Sequence, residues 1–415
     1  MKQLLRSQWT QTRRWLQGKP VRLQPLLCAT LDRDDVALAR AWRAQPGQWQ
    51  SRAPVDEFTR QFCHWLGVRR GWAFMGGRAA LYAIVQALEL KAGDEVVLPA
   101  FTCQCVLNAC TYQGVRVRWA DIENQSFGMD ADALSKVLGP ATKAIMIQHS
   151  FGLINRDFER LLQLARARGL WVIEDCAHAT GAEWRGRKLG TFGDIALFSS
   201  ERSKIINTIH GGIVVAQHDT LARRMDAIHA RAAVPSDAEI ARLLNTVEYG
   251  WYVHKHRWRP FTAAWAEWRF GEQVLAQMQP EEFEGRFVPR YAQRMVAPVA
   301  ALGLNQLAKM AHYQEKRRAG AAHWDAWCDK QGLRRPLVLP DSQPAYLRYP
   351  VLVEPQQRAD LRWVADRLGM TAGVWFSSVT HPVARDSVGC PVGEDAVRRV
   401  LNLPTIFVEA VRASP

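Results

Sequence analysis

Between residues 71 and 217 short β-rich runs alternate with amphipathic helical stretches, and this rhythm admits few folds. The strand candidates are 71–75, 95–98, 115–119, 144–148, 171–174, 195–198 and 212–215, with helical patterns at 79–90, 103–112 and 158–168 between them. Such alternation predicts an α/β architecture with a mostly parallel sheet. Several of the runs are almost wholly apolar, as strands covered on both faces must be, which implies three layers, α/β/α. Ligands bind beyond the carboxyl ends of such strands. Two polar residues fall there: Asp175 follows Trp-Val-Ile-Glu, and Ser199 follows Ile-Ala-Leu-Phe.

The alternation fails between about 236 and 290, a segment rich in Trp, Arg and Glu that reads as helices joined by loops. A long helical pattern resumes at 294–328. A strand at 346–353, a helix at 355–368 and a last helix near 394–401 then make a small α+β unit. At 415 residues two domains are expected. They divide as 1–290, including an N-terminal arm and the 236–290 insertion, and 291–415. No run of apolar residues is long enough for a transmembrane helix, and the basic start lacks a secretory apolar core, so a cytoplasmic protein is expected. Of the eight cysteines only Cys103, Cys105 and Cys110 are close in sequence. They lack a partner cluster, so no zinc or other metal site is expected.

The net charge is +14, and six Lys or Arg precede the first acidic residue, Asp32. Further cations alternate with four tryptophans at 251–270. Nucleic acid, an anionic membrane surface or a small phosphorylated substrate would each suit this charge. No nucleic-acid-binding motif accompanies it, so nucleic acid is the poorest fit. A solvated face plus an aromatic oligomer contact accounts for it equally well.

Ile-Glu-Asp-Cys-Ala-His at 173–178, followed by Phe-Ser-Ser-Glu-Arg-Ser-Lys at 198–204, places a strand-end carboxylate, Asp175, ahead of an amine, Lys204. An aldehyde cofactor with a basic ring nitrogen needs such a pair. Pyridoxal phosphate attaches covalently to a lysine, and an acid keeps its pyridinium protonated so that the ring acts as an electron sink. Upstream, Met75-Gly76-Gly77-Arg78 follows a strand and opens a helix, where free N–H groups and close backbone approach suit a phosphate. Each feature also has an ordinary structural reading: a turn for Gly-Gly, a cap for Asp175, a surface amine for Lys204, a satisfied core imidazole for His178. Their order along the chain, closed by Gly211-Gly212, favours the chemical one.

The arrangement resembles the DegT/DnrJ/StrS group of pyridoxal-phosphate sugar aminotransferases, of fold-type I architecture. Gly76-Gly77-Arg78-Ala79-Ala80-Leu81 matches that family's Ser-Gly-Thr-Ala-Ala-Leu, and residues 93–102 match its Gly-Asp-Glu-Val-Ile-x-Pro-x-x-Thr. Residues 173–179 match Ile-Glu-Asp-x-Ala-Gln/His-Ala, residues 198–204 match Phe-Ser-Phe-x-x-x-Lys, and the Leu-Asn-Leu-Pro of 401–404 matches as well. The resemblance implies that Lys204 carries the cofactor and shuttles protons, that Asp175 pairs with the pyridinium nitrogen, and that His178 sits by the ring. It implies that Ser199, Gly76, Gly77 and Arg78 hold the phosphate. It gives Arg294, in Gln293-Arg294-Met295, a place in a segment that enters the partner subunit's site, hence a homodimer.

Four positions depart from the pattern. Cys103 stands where an aromatic usually stacks on the cofactor, Arg78 replaces a threonine, His210 a glutamate, and Ala292 an asparagine. The resemblance therefore implies pyridoxal 5'-phosphate and transfer of an amino group, with glutamate as the expected donor, to a keto-sugar carried on a nucleotide, in surface-polysaccharide or secondary-metabolite synthesis. Two other readings stand beside it: the same cofactor acting on a lipid-linked or amphiphilic carbonyl at a membrane surface, and a non-catalytic scaffold that keeps the fold.

Overall fold

The computed structural model describes residues 13–14, 16–20, 23–256, 259–384 and 388–407. Most of the basic N-terminal stretch, and part of the basic segment at 251–270, lie outside the described residues. Seven strands form one sheet: β1 (Gly71–Phe74), β2 (Glu95–Pro99), β3 (Arg116–Ala120), β4 (Thr142–Gln148), β5 (Trp171–Asp175), β6 (Ile195–Ser199) and β7 (Gly212–Ala216). Their spatial order is β1-β7-β6-β5-β4-β2-β3. Strand β7 alone runs against the rest, antiparallel to both β1 and β6, while the other neighbours pair in parallel. All seven strands lie where the apolar runs predict them.

Alternation along the strands explains the three layers. Val97, Ile145 and Ile147 point into one apolar core, and Val96, Leu98, Ala144 and Met146 into another. Successive side chains leave a strand on opposite faces, so a continuous apolar run fills both cores. Helices Gly77–Ala87 and Gln104–Thr111 cover one face. Helices Ala53–Leu66 and Phe158–Ala167 cover the other.

A third core gathers Trp324, Tyr349, Val351, Leu401 and Leu403. It lies under β8 (Arg348–Leu352) and β9 (Val400–Pro404), which pair antiparallel with Tyr349 opposite Leu403 and Val351 opposite Leu401. Here the structure differs from the sequence reading. The last helix spans Pro391–Arg399 and gives way to β9 instead of continuing to 401. The backbone turns extended at Val400, and Pro404 could not have donated to a helix. The helix expected at 355–368 splits into Pro355–Ala359 and Arg362–Leu368. Asp360 leaves helical geometry between them, and its carboxylate accepts the Arg362 N–H at 3.1 Å. The pattern at 294–328 is likewise two helices, Ala297–Ala308 and Met310–Gln331.

The described part of the 236–290 segment is helices joined by loops, led by Asp237–Gly250, whose Ser236 and Glu239 form a capping box. Among the described residues no helix is long and apolar enough to cross a membrane.

Candidate active site

The carboxyl ends of β4, β5 and β6, the start of β7 and one loop of the small unit enclose a cavity of about 530 Å³. Asp175, Lys204, His178, Ser199, Gly76, Gly77, Arg78 and Cys103 all line it, so residues spread over about a third of the chain converge as the motifs imply.

Asp175 ends β5, and its neighbour Glu174 points the other way. The Glu174 carboxylate is saturated by three backbone N–H groups, from Gly190 (2.8 Å), Phe192 (2.7 Å) and Gly193 (2.5 Å). Asp175 accepts from the Ala177 N–H at 2.9 Å and otherwise faces the cavity. Burial raises its pKa, against the pull of that hydrogen bond and of Lys204. Lys204 lies in the turn after β6, with its amine 4.8 Å from the Trp375 ring centroid. Burial lowers its pKa, opposed by Glu201, Cys103 and Asp175. A neutral amine can take a proton; an ammonium cannot.

His178 is oriented from two sides. Its Nδ1 accepts the Phe151 N–H at 3.3 Å, which leaves the proton of the neutral ring on Nε2. Its ring stacks on Trp375, centroids 4.8 Å apart and planes 11° apart. Burial first, then Lys204 and Arg348, hold its pKa well below 6.5, so it is a neutral donor at physiological pH.

The glycine turn is built by close approach. Helix Gly77–Ala87 begins at the turn, and a Cβ on Gly77 would lie 2.9 Å from the Ser199 Cβ. A Cβ on Gly212 would lie 2.5 Å from the carbonyl oxygen of Gly76. The Gly-Gly of β7 thus presses the turn against the end of β6 and joins the helix N-terminus and the Ser199 hydroxyl in one cradle. This cradle, at the same cavity as Asp175 and Lys204, fits a group that carries both a phosphate and an aldehyde.

Arg78 lines the cavity, but its guanidinium is already engaged. It pairs with the fully buried Glu282 at 2.8 Å and donates to the Gln277 carbonyl at 2.6 Å. A substitution that suggested an extra phosphate contact thus serves first to neutralise a buried carboxylate. Cys103 holds the wall position expected for a ring-stacking aromatic. Its thiol pKa is lowered, chiefly by hydrogen bonding with Cys105 and then by Arg78 and Lys204 against burial. Arg294 is not brought to this cavity. Its backbone bridges Phe74 and donates to the Ala233 carbonyl at 2.9 Å, while Gln293 and Arg290 of the same segment line the wall instead.

Sequence reasoning passed over the small unit's contribution. Trp375, Phe376 and His381 roof the cavity, and the parallel pairing of Thr102–Cys103 with Thr380–His381 fastens that loop down. The only local signal was an aromatic doublet in an aperiodic stretch.

A sequence model of the DegT/DnrJ/EryC1/StrS aminotransferase family matches residues 32–408. The chain belongs to this family. It is 37% identical to GDP-perosamine synthase of Caulobacter vibrioides over 44% of this chain and 49% of that protein, about half the relative's length. It is 28% identical to GDP-perosamine synthase of Escherichia coli O157:H7 over 89% of this chain and 88% of that protein. Among solved structures, the aminotransferase TlmJ from Streptoalloteichus hindustanus superposes with a TM-score of 0.71 at 23% identity, covering 94% of this chain and 95% of that one. Streptomyces venezuelae DesV, solved in complex with a ketimine intermediate, gives 0.69 at 22% identity over 92% and 91%. The fold of this family member is that of the fold-type I aminotransferases.

Proposed function

We propose that this family member is a pyridoxal 5'-phosphate-dependent aminotransferase that moves an amino group from glutamate to a keto-sugar carried on a nucleotide, working as a homodimer. The observation that carries the reading is the convergence of Asp175, Lys204 and the Gly77–Ser199 cradle on one cavity. The two GDP-perosamine synthases support sugar as the substrate class.

Once bound, the cofactor supplies a protonated ring that withdraws electrons from the carbon bearing the amino group. Asp175 holds the proton on the ring nitrogen, as a carboxylate at the end of a buried strand can. Lys204 removes and returns the proton at the reacting carbon, and the direction of its pKa shift, downward from 10.5, favours the neutral amine this needs. His178 presents a fixed Nε2–H donor, since its other nitrogen is held by Phe151. Ser199 and the N–H groups at Gly77 anchor the phosphate. Trp375 and Phe376 line the cavity beside these groups and narrow its access to solvent. Arg294, which does not line this chain's cavity, is assigned toward the partner subunit.

The test is spectroscopic and needs no sugar. Purified protein given pyridoxal 5'-phosphate should show a visible band that borohydride abolishes, leaving a stable adduct on the Lys204 peptide. Glutamate alone should convert the bound cofactor to its amino form and release one equivalent of 2-oxoglutarate. Lys204→Ala should form no such adduct and show no turnover with a panel of keto-sugar nucleotides. A wild-type protein that remains colourless with excess cofactor would contradict the reading and favour a scaffold.

A further inference from the structure

We propose that His210 and Arg290 form a phosphate-binding element of the cavity, beside the Gly76–Gly77 turn; this rests on the function just proposed.

His210 immediately precedes Gly211-Gly212, and Gly212 pairs with Phe74 at the end of β1. The imidazole is therefore held at the end of the sheet where the glycine turn begins. It is 8% exposed and lines the cavity, yet its Nε2 is buried with no hydrogen-bond partner among the described residues. A buried polar atom left unpaired is costly, so such a group in a ligand cavity points to the ligand. The backbone beneath it is fixed, because the Thr208 hydroxyl donates to the His210 carbonyl at 2.9 Å and lies 2.7 Å from the Ser200 hydroxyl.

Arg290 reaches the same cavity from the far side of the 236–290 segment. Its Nη1 donates to the Ala276 carbonyl at 3.1 Å, and among the described residues it makes no close ion pair, although Glu282 and Glu239 act on its charge from farther away. Arg78 differs, since Glu282 already takes its charge. Burial, and after it Arg290, keep the imidazole neutral, so the pair offers one N–H donor and one cation that holds no direct ion pair among the described residues. A phosphoryl oxygen satisfies both. Its source is either the cofactor's phosphate or a phosphate of the nucleotide-linked substrate.

Three titrations on wild type, His210→Gln, His210→Ala and Arg290→Met separate the possibilities, with thermal melts to verify folding. Binding of pyridoxal 5'-phosphate should weaken on the order of tenfold or more in the variants while pyridoxal, which lacks the phosphate, binds as in wild type. That result assigns the element to the cofactor. Unchanged cofactor binding with weaker inhibition of the holoenzyme by a nucleoside diphosphate assigns it to the substrate. Inorganic phosphate should raise the melting temperature of cofactor-free wild type more than that of the variants. Variants equal to wild type in all three experiments overturn the proposal. If wild type takes up no cofactor but keeps a His210-dependent phosphate effect, the proposed function fails and this element stands.

Discussion

Glu174 and Asp175 are adjacent carboxylates with opposite environments. Three amides satisfy the first, while the second faces the cavity with a single amide partner. The strand's two-residue period makes this separation, so one position serves the fold and the next is free for chemistry. Lys204 shows what the second kind of position costs. Its pKa in the folded, cofactor-free protein lies below the usual 10.5, so the unfolded chain binds that proton more tightly. Protonation at this site therefore opposes folding, increasingly as pH falls from 10.5 through the folded pKa. Lys204→Met keeps an apolar stem and removes the charge. The cofactor-free variant should be inactive but melt higher than wild type at neutral pH, with the advantage fading above about pH 10.5. Melts across a pH series check this, and a variant less stable at pH 7 would rule it out. Asp175, Ser199 and Lys204 were legible as residues because each is marked by its place after an apolar run.

At the scale of elements, the site depends on how closely β7 lies against the turn between β1 and helix Gly77–Ala87. The two glycines there should respond differently to a methyl group. At Gly77 the nearest obstacle is the Ser199 Cβ at 2.9 Å, with the Ser199 hydroxyl oxygen at 3.0 Å; the hydroxyl can rotate away, but the Cβ moves only if the end of β6 shifts. Gly77→Ala should therefore lose some stability, though less than Gly212→Ala, and bind pyridoxal 5'-phosphate markedly less well. At Gly212 the obstacle is the Gly76 carbonyl at 2.5 Å, which is backbone and cannot yield without moving the sheet edge. Gly212→Ala should cost on the order of 1–3 kcal/mol or more. Urea midpoints and cofactor titrations compare the two; equal losses of stability would show that the turn is looser than described. Element boundaries were less legible than element existence. Helical periodicity carried through 355–368 and up to 401, whereas the chain broke at Asp360 and became β9 at Val400. Pairing with β8, formed some fifty positions earlier, decides that ending.

Over the whole molecule the net charge is +14, while the cavity lining balances Arg78, Lys204 and Arg290 against Asp175, Glu201 and Glu239. The excess cations therefore lie outside that lining, and a nucleotide-linked substrate would approach them as an anion. Its KM should rise between about 0.05 and 0.5 M sodium chloride while kcat holds, because screening weakens attraction before it alters bound chemistry. A KM indifferent to salt would count against an anionic substrate. Seven strands, both faces of the sheet and the Asp175–Lys204 pair could be read from the chain alone, since apolar period and motif order are local properties. The partner of Arg78 could not be, because Glu282 lies in another element and meets it only when the insertion folds back. Nor could the stack of Trp375 on His178, the unpaired nitrogen of His210 or the placement of Arg294 outside the cavity. Those depend on contacts between segments far apart in sequence, where local pattern carries no information about which side chain meets which.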